Sequence, residues 1–265
     1  MSAVPNIGLG TWQNSDPDEC IESVEYALDL GYRHVDTAQF YDNEEFVGRG
    51  IDLSDVYRED FWLATKVWVD NLGYDDVIES TADSIGRLGV DYLDILYVHW
   101  PAGEYDPEGT LPAFDQLRSD GKIRNVGVSN FTPGQVEEAM EVADSDILVN
   151  QIEMHPLLQQ EEMVEFAQEN DLEIVAYSPL ARGTVIDVPE LQEIGEKHDC
   201  SPAQVSLAWL MGIDNVHPVP KSANKSHIRE NFMSMEVELD DEDVGKIEGI
   251  EEKNRLIEPE KLAPW

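Results

Sequence analysis

The chain is poor in positive charge. Its 265 residues include 17 Lys and Arg against 56 Asp and Glu, which gives a formal net charge of −39 at pH 7. Such a chain repels nucleic acids and anionic membranes, so we expect neither as a partner. Acidic residues occur on nearly every predicted helix, and salt of about 1 M shortens the Debye length to about 3 Å. We therefore interpret the charge as a halophilic adaptation to a salt-rich cytoplasm; an acidic protein of a low-salt cell is the alternative.

Cysteine and long apolar runs are scarce too. The two cysteines, Cys20 and Cys200, lie far apart in sequence, and we expect reduced, buried thiols of a cytoplasmic protein rather than a disulfide. No apolar run reaches the roughly 18 residues of a membrane-spanning helix. The N-terminal sequence MSAVPNIGLGTW lacks the features of a secretory signal. The six histidines show no ligand pairing, so we predict no metal site and treat a metal-dependent hydrolase as a minor alternative.

Strand-like and helix-like segments alternate along the whole chain without a flexible linker. The predicted strands are 7–10, 34–37, 61–66, 93–99, 126–129, 148–153, 173–178 and 216–220. Several are continuous apolar runs, as is typical of parallel strands covered by helices. The clearest helix starts are Asp16-Pro17, Thr132–Gln135 and Ser201–Gln204. We predict a single domain, residues 1–265, folded as an α/β (β/α)8 TIM barrel. A doubly wound sheet is the alternative, although no GxGxxG follows the first strand.

Polar residues interrupt the apolar runs where the predicted strands end, and the active site of such a barrel lies at that rim. Four of them suit proton donation: Asp36, Tyr41, Lys66 and His99. A free phenol has a pKa of about 10, and we expect the Lys66 ammonium to lower the pKa of Tyr41. Asp36 would hold the ammonium, and His99 would orient a carbonyl oxygen. Further polar residues at strand ends are Ser129, Asn130, Gln151, Glu153, Tyr177, Lys221 and Ser222.

These residues lie in motifs that span essentially the whole chain: GLGTW, VDTAQFYDNEEFVG, TKVW, YLDILYVHWP, IRNVGVSNF, VNQIEMHP, YSPL and VPKS…EN. In order and spacing they resemble the motifs of the aldo-keto reductases. The resemblance implies an oxidoreductase that reduces an aldehyde or ketone, such as a keto sugar or diketone, by hydride transfer from NADPH. Tyr41 would then be the general acid, tuned by Lys66 and Asp36. A monomer is expected, and a nucleotide-sensing binding module of the same fold is the alternative.

The same resemblance assigns residues to the cofactor and the substrate. The nicotinamide ring would stack on Tyr177, and a loop beginning at Ser178-Pro179-Leu180 would cover the pyrophosphate, with Arg182 as a further candidate. The carboxamide would be held by Ser129, Asn130 and Gln151. The adenosine and 2′-phosphate end would be bound by Lys221, Ser222, Asn224, His227, Glu230 and Asn231. The substrate pocket would have apolar walls from Trp12, Trp68 and Trp100.

Two features depart from the family pattern. Where NADPH-preferring members usually carry an arginine over the 2′-phosphate, this chain has His227, which is only partly protonated near neutral pH. It lies in a basic cluster, Lys221 to Arg229, so we still expect NADPH to be preferred, with NADH as the alternative. Few residues precede the first strand, and the tail after Asn231 is short. We therefore expect a short or missing N-terminal hairpin, a short C-terminal tail and an open pocket; a return of Trp265 toward the pocket is a minor alternative.

Overall fold

The computed structural model describes residues 4–260, 262 and 263, so the prediction for Trp265 lies outside the described residues. The predicted barrel forms, with eight parallel strands hydrogen-bonded in chain order. They are β1 (Leu9–Gly10), β2 (His34–Asp36), β3 (Trp62–Val67), β4 (Leu93–Val98), β5 (Ile123–Ser129), β6 (Ile147–Glu153), β7 (Glu173–Tyr177) and β8 (Val216–Pro218). Hydrogen bonds from Gly8 N to Pro218 O (3.0 Å) and from Gly10 N to Pro220 O (3.1 Å) join the two ends of the sheet. The doubly wound alternative is therefore wrong.

Closure of the barrel depends on a glycine in β1. A Cβ atom on Gly10 would lie 2.7 Å from the backbone oxygen of Val219, closer than real Cβ contacts come. Only a residue without a side chain lets β1 approach the end of β8 this closely. The second glycine of the GLGTW motif is therefore needed for the packing of the barrel.

The helices pack around the barrel, and their caps follow the sequence. They are α1 (Pro17–Leu30), α2 (Glu44–Leu53), α3 (Tyr74–Leu88), α4 (Pro107–Ser119), α5 (Pro133–Val142), α6 (Glu161–Glu169), α7 (Pro189–His198), α8 (Pro202–Met211), α9 (Lys225–Met233) and α10 (Asp241–Glu248). Asp16 caps α1 by accepting from Glu19 N at 3.0 Å, and the predicted capping boxes of Thr132 and Ser201 are both present. Strict alternation ends at β7, because two helices follow each of the last two strands.

Inside the barrel, an apolar layer of side chains lies beneath the polar residues at the carboxyl ends of the strands. Ala64, Val149 and Val175 belong to a small apolar cluster. Each lies two residues before a polar residue, Lys66, Gln151 or Tyr177. Because side chains alternate along a strand, each pair shares one face, so the apolar layer supports the polar one.

The remaining sequence-based expectations have mixed outcomes. Cys20 is buried, but Cys200 is only half-buried, because it follows α7 in a loop; neither forms a disulfide. No strand precedes β1 within residues 4–8, the described part of that segment. Among the described residues no helix is both long and apolar enough to span a membrane. The C-terminal tail, here residues 250–260, 262 and 263, has no helix or strand.

Candidate active site

A cavity of about 690 Å³ opens at the carboxyl ends of the strands. Asp36, Tyr41 and His99 line this cavity, and Lys66 lies behind them with its side chain 1% exposed. The structure therefore brings the four predicted catalytic residues together. The three predicted pocket tryptophans also line the cavity, namely Trp12, Trp68 and Trp100.

Lys66 and Asp36 form a buried ion pair. The Lys66 Nζ donates to Asp36 Oδ1 at 2.5 Å and to the backbone oxygen of Thr37 at 2.8 Å, and it lies 3.5 Å from the hydroxyl of Tyr41. Asp36 Oδ2 accepts from Gln151 Nε2 at 2.7 Å. Because both charged groups have close partners, the pair can be kept in the barrel interior. It fixes the distance between the ammonium and the phenol.

The pKa of Tyr41 is raised well above its ordinary value, first by burial and then by the negative charge of Asp36. The expectation that Lys66 lowers this pKa is therefore wrong. The reason is that burial disfavours the charged phenolate, and the negative charge of Asp36 disfavours it further. At neutral pH Tyr41 consequently carries its proton, which is the state that a general acid needs.

His99 stands beside Tyr41 as a neutral imidazole. Burial, and then the charge of Lys66, lower the pKa of His99 well below its usual value. Its ring meets those of Tyr41 and Trp68 edge-on, with centroids 5.9 Å and 5.1 Å away. Its Nδ1 has no hydrogen-bond partner among the residues that the structure describes. A neutral imidazole at the cavity wall can donate one hydrogen bond to a carbonyl oxygen without competing for the proton of Tyr41.

The residues predicted to hold the nicotinamide form one network. Ser129 Oγ donates to Gln151 O at 2.9 Å and accepts from Asn130 Nδ2 at 3.0 Å. The Tyr177 hydroxyl donates to Asn130 Oδ1 at 2.8 Å. Asn130 has a φ of 64°, a left-handed conformation that asparagine tolerates better than most residues. Because oxygens accept more than one hydrogen bond, Asn130 Oδ1 and Gln151 Oε1 retain capacity for the N–H groups of a carboxamide.

The predicted pyrophosphate loop also reaches the cavity. Ser178, Pro179, Leu180 and Arg182 all line it. The loop turns sharply, since Ser178 and Arg182 have φ values of 49° and 52°. The Arg182 guanidinium lies 4.7 Å from the centroid of the Trp12 ring, a cation–π contact. The contact holds a positive charge at the cavity, where the guanidinium could donate hydrogen bonds to a diphosphate.

The predicted adenosine end is only partly joined to this cavity. Lys221 lines it, whereas the other five residues lie just before α9 or within that helix. Asn224 caps α9, and Ser222 Oγ accepts from Asn224 N at 3.1 Å. His227 is exposed on the first turn of the helix. Glu230 accepts from Ser201 Oγ at 2.5 Å, and Asn231 is buried. From the basic cluster, Lys225 is already paired with Glu22 at 2.9 Å.

Sequence reasoning missed two parts of the wall. Phe40 lies next to Tyr41, is 56% exposed, and stacks on Trp68 with centroids 4.0 Å apart. Its position beside the candidate acid was the available signal. The tail contributes Leu256, Ile257, Glu258, Pro259 and Leu262. No local pattern marked these residues, because the tail reaches the cavity only through contacts with distant segments.

The comparisons with known proteins agree with this geometry. The model of the aldo/keto reductase family matches residues 6–252. The methylglyoxal reductase DkgB of Escherichia coli O157:H7 is 38% identical over 265 residues, covering 99% of this chain and 98% of its own. The glyoxal reductase of Bacillus subtilis (strain 168) is 39% identical over 253 residues, covering 96% of this chain and 91% of its own.

Solved structures match over the same extent. A crystal structure provisionally named a 2,5-diketo-D-gluconic acid reductase B has a TM-score of 0.95 at 36% identity, and the match covers 99% of this chain and 94% of that one. The aldo-keto reductase of Bombyx mori, in complex with NADP, has a TM-score of 0.88 at 31% identity, covering 96% and 92%.

Proposed function

Because the chain belongs to the aldo/keto reductase family, we propose that it reduces an aldehyde or ketone to an alcohol with NADPH, using Tyr41 as the general acid. The observation that carries this assignment is the grouping of a protonated phenol, a buried ion pair and a neutral imidazole on one cavity. Tyr41 lies 3.5 Å from the Lys66 ammonium, and its ring meets His99.

The chain's own residues account for the proton in this reaction. The nicotinamide, when bound, supplies the hydride that adds to the carbonyl carbon. The carbonyl oxygen gains negative charge as its bond order falls, and the Tyr41 hydroxyl gives its proton to that oxygen. Lys66 stabilises the phenolate left on Tyr41, since its ammonium lies 3.5 Å from that oxygen. His99 orients the oxygen by donating a hydrogen bond.

The cavity favours small carbonyl compounds with an apolar side. Its walls include Trp12, Trp68 and Phe40, and the same cavity is lined by Tyr41 and His99. Relatives are named for methylglyoxal, glyoxal and diketogluconate reduction. We propose a small dicarbonyl as the substrate class, because one carbonyl can meet Tyr41 while the rest of a short molecule contacts the aromatic walls.

The cofactor assignment favours NADPH. Lys221 at the cavity edge and the exposed start of α9, with His227 and Arg229, offer positive charge to a phosphate. The NADP complex of the Bombyx mori relative supports the same choice. Titration of the protein with NADPH and with NADH, followed by tryptophan fluorescence in about 2 M KCl, tests the assignment. Binding of neither cofactor by folded protein would contradict the proposed function.

Replacing His227 with arginine is expected to raise the preference for NADPH over NADH about tenfold, since a guanidinium adds a charge-assisted fork to the 2′-phosphate. The measurement is the ratio of the two dissociation constants. Lys225→Arg is the matched control on the same helix turn, because Lys225 faces Glu22 on α1. An unchanged ratio in His227→Arg would mean that this position does not meet the phosphate.

We further propose that the protein is a salt-adapted cytoplasmic monomer, since its charge of −39 opposes association at low ionic strength. The thermal unfolding midpoint is expected to rise by about 10 °C or more between 0.1 M and 2 M KCl, as screening removes repulsion worth several kcal/mol. Circular dichroism measures the shift. Sucrose, which stabilises without screening charge, is the control. A midpoint that responds to sucrose but not to KCl would contradict the adaptation.

A further inference from the structure

Glu153, the last residue of β6, is a strand-end carboxylate that the proposed reaction does not use. Its side chain is fully buried. Oε1 accepts from Leu256 N at 2.7 Å and from His155 Nε2 at 3.1 Å, and Oε2 accepts from Ile257 N at 2.8 Å. One carboxylate thus binds two consecutive backbone N–H groups more than a hundred residues away in sequence.

These hydrogen bonds matter because the tail has no regular structure of its own. Its backbone groups need partners from elsewhere, and the segment from Glu153 to Gln159 provides them. Besides the carboxylate, Leu157 O accepts from Asn254 N at 2.8 Å in the tail, and Gln159 Nε2 donates to Ile247 O in the last turn of α10, just before the tail, at 2.8 Å. The loop after β6 is therefore the surface on which the tail lies.

The hydrogen bonds that the Glu153 carboxylate accepts from Leu256 N and Ile257 N, here called the clamp, require that Glu153 be ionised. Burial by itself would raise the pKa of Glu153, but hydrogen bonds from His155, Leu256 and Ile257 outweigh burial and lower it. The group is therefore ionised at neutral pH and can accept from all three donors at once. Glutamine has the same shape but is neutral, and it carries an NH2 group in place of one carboxylate oxygen. That group would face an N–H donor and could not accept its hydrogen bond.

The clamped residues form a wall of the catalytic cavity. Leu256 and Ile257 both line it, and the tail continues along it to Pro259 and Leu262. A small carbonyl compound held at Tyr41 needs few contacts with this apolar wall. A larger one extends toward it, because Leu256 and Ile257 line the same cavity as Tyr41. The position of the wall therefore affects large substrates more than small ones.

We propose that Glu153 is a positioning residue that fixes this wall and so sets the affinity for bulky carbonyl substrates. The proposal rests on the proposed function, because it concerns the substrate of the same cavity. Glu153 does not contact the reacting atoms; it acts through the backbone of Leu256 and Ile257. Loss of the clamp is expected to lower the affinity for bulky substrates selectively. Proton donation by Tyr41 should be unaffected.

The test compares methylglyoxal with its phenyl-substituted relative phenylpropanedione in wild type and Glu153→Gln. KM for phenylpropanedione is expected to rise about tenfold, while kcat and KM for methylglyoxal change less than about twofold. Glu169→Gln, an exposed change of equal charge at the end of α6, is the matched control. Glu153→Asp, which keeps the charge but shortens its reach, is expected to give a smaller shift in the same direction.

A double variant separates positioning from general loosening of the fold. Leu256→Ala alone should raise KM for phenylpropanedione, and adding Glu153→Gln should raise it little further, because both act through the same wall. An unchanged ratio of the two KM values in Glu153→Gln and Glu153→Asp, or full additivity in the double variant, would overturn the proposal. Failure of wild type to reduce either compound would instead count against the proposed function.

Discussion

Replacement of Tyr41 by phenylalanine is expected to lower kcat for carbonyl reduction by a factor of about 10² to 10⁴, the usual contribution of a general acid. The substitution removes only the hydroxyl, whose one hydrogen-bonding contact within the described part of the chain is the Lys66 ammonium at 3.5 Å. The ring stays, together with its edge contact to His99. The measurement is the steady-state rate of NADPH oxidation with methylglyoxal in high salt.

NADPH affinity and the unfolding midpoint serve as controls for this variant. Both should match wild type, because the structure gives the hydroxyl of Tyr41 only a long contact with Lys66 among the residues it describes. Turnover within a factor of about ten of wild type would show that another group, or water, supplies the proton.

Replacement of Lys66 by methionine is expected to lower the free energy of unfolding by about 3–5 kcal/mol, because it leaves the Asp36 carboxylate buried without its counter-charge. The two side chains are 1% and 4% exposed, so solvent cannot replace the ammonium. The rate of reduction should fall as well, since no positive charge then stabilises the phenolate on Tyr41. Denaturant unfolding and the rate of methylglyoxal reduction measure the two effects.

The double variant with Lys66→Met and Asp36→Asn separates stability from activity. Removing the second charge should restore most of the lost stability, because no uncompensated carboxylate then remains in the barrel. It should not restore the rate. If the double variant were as unstable as Lys66→Met, then packing around Lys66, and not the ion pair, would hold this part of the barrel together.

Much of the fold could be predicted because eight buried parallel strands leave a continuous apolar pattern. The clearest boundary error is at β5, which begins at Ile123 and not at residue 126. The missed residues include Arg124, whose guanidinium bonds Asp94 at 3.0 Å and stacks on Tyr92. A partner on the adjacent strand can stabilise a charged residue within a strand. The local sequence pattern does not reveal such a partner.

The candidate site shows the same division between local and distant information. Asp36, Lys66 and His99 could be located because each interrupts an apolar run at a strand end. The direction of the pKa shift of Tyr41 could not, because it depends on how deeply the phenol is buried and on the charge of Asp36 beside it. The tail as a cavity wall could not be predicted either, since Leu256 meets Glu153 across 103 residues of sequence.

Following the hydride into the product tests most directly whether the protein reduces a carbonyl group in this cavity. NADPH carrying deuterium at C4 of the nicotinamide, on the face that is transferred, would be incubated with the protein and methylglyoxal in about 2 M KCl. One deuterium is expected on the former carbonyl carbon of the alcohol product, seen by mass spectrometry and NMR, and Tyr41→Phe is expected to lose that product. An alcohol without deuterium, or NADPH oxidation without an alcohol, would contradict carbonyl reduction by hydride transfer in this cavity.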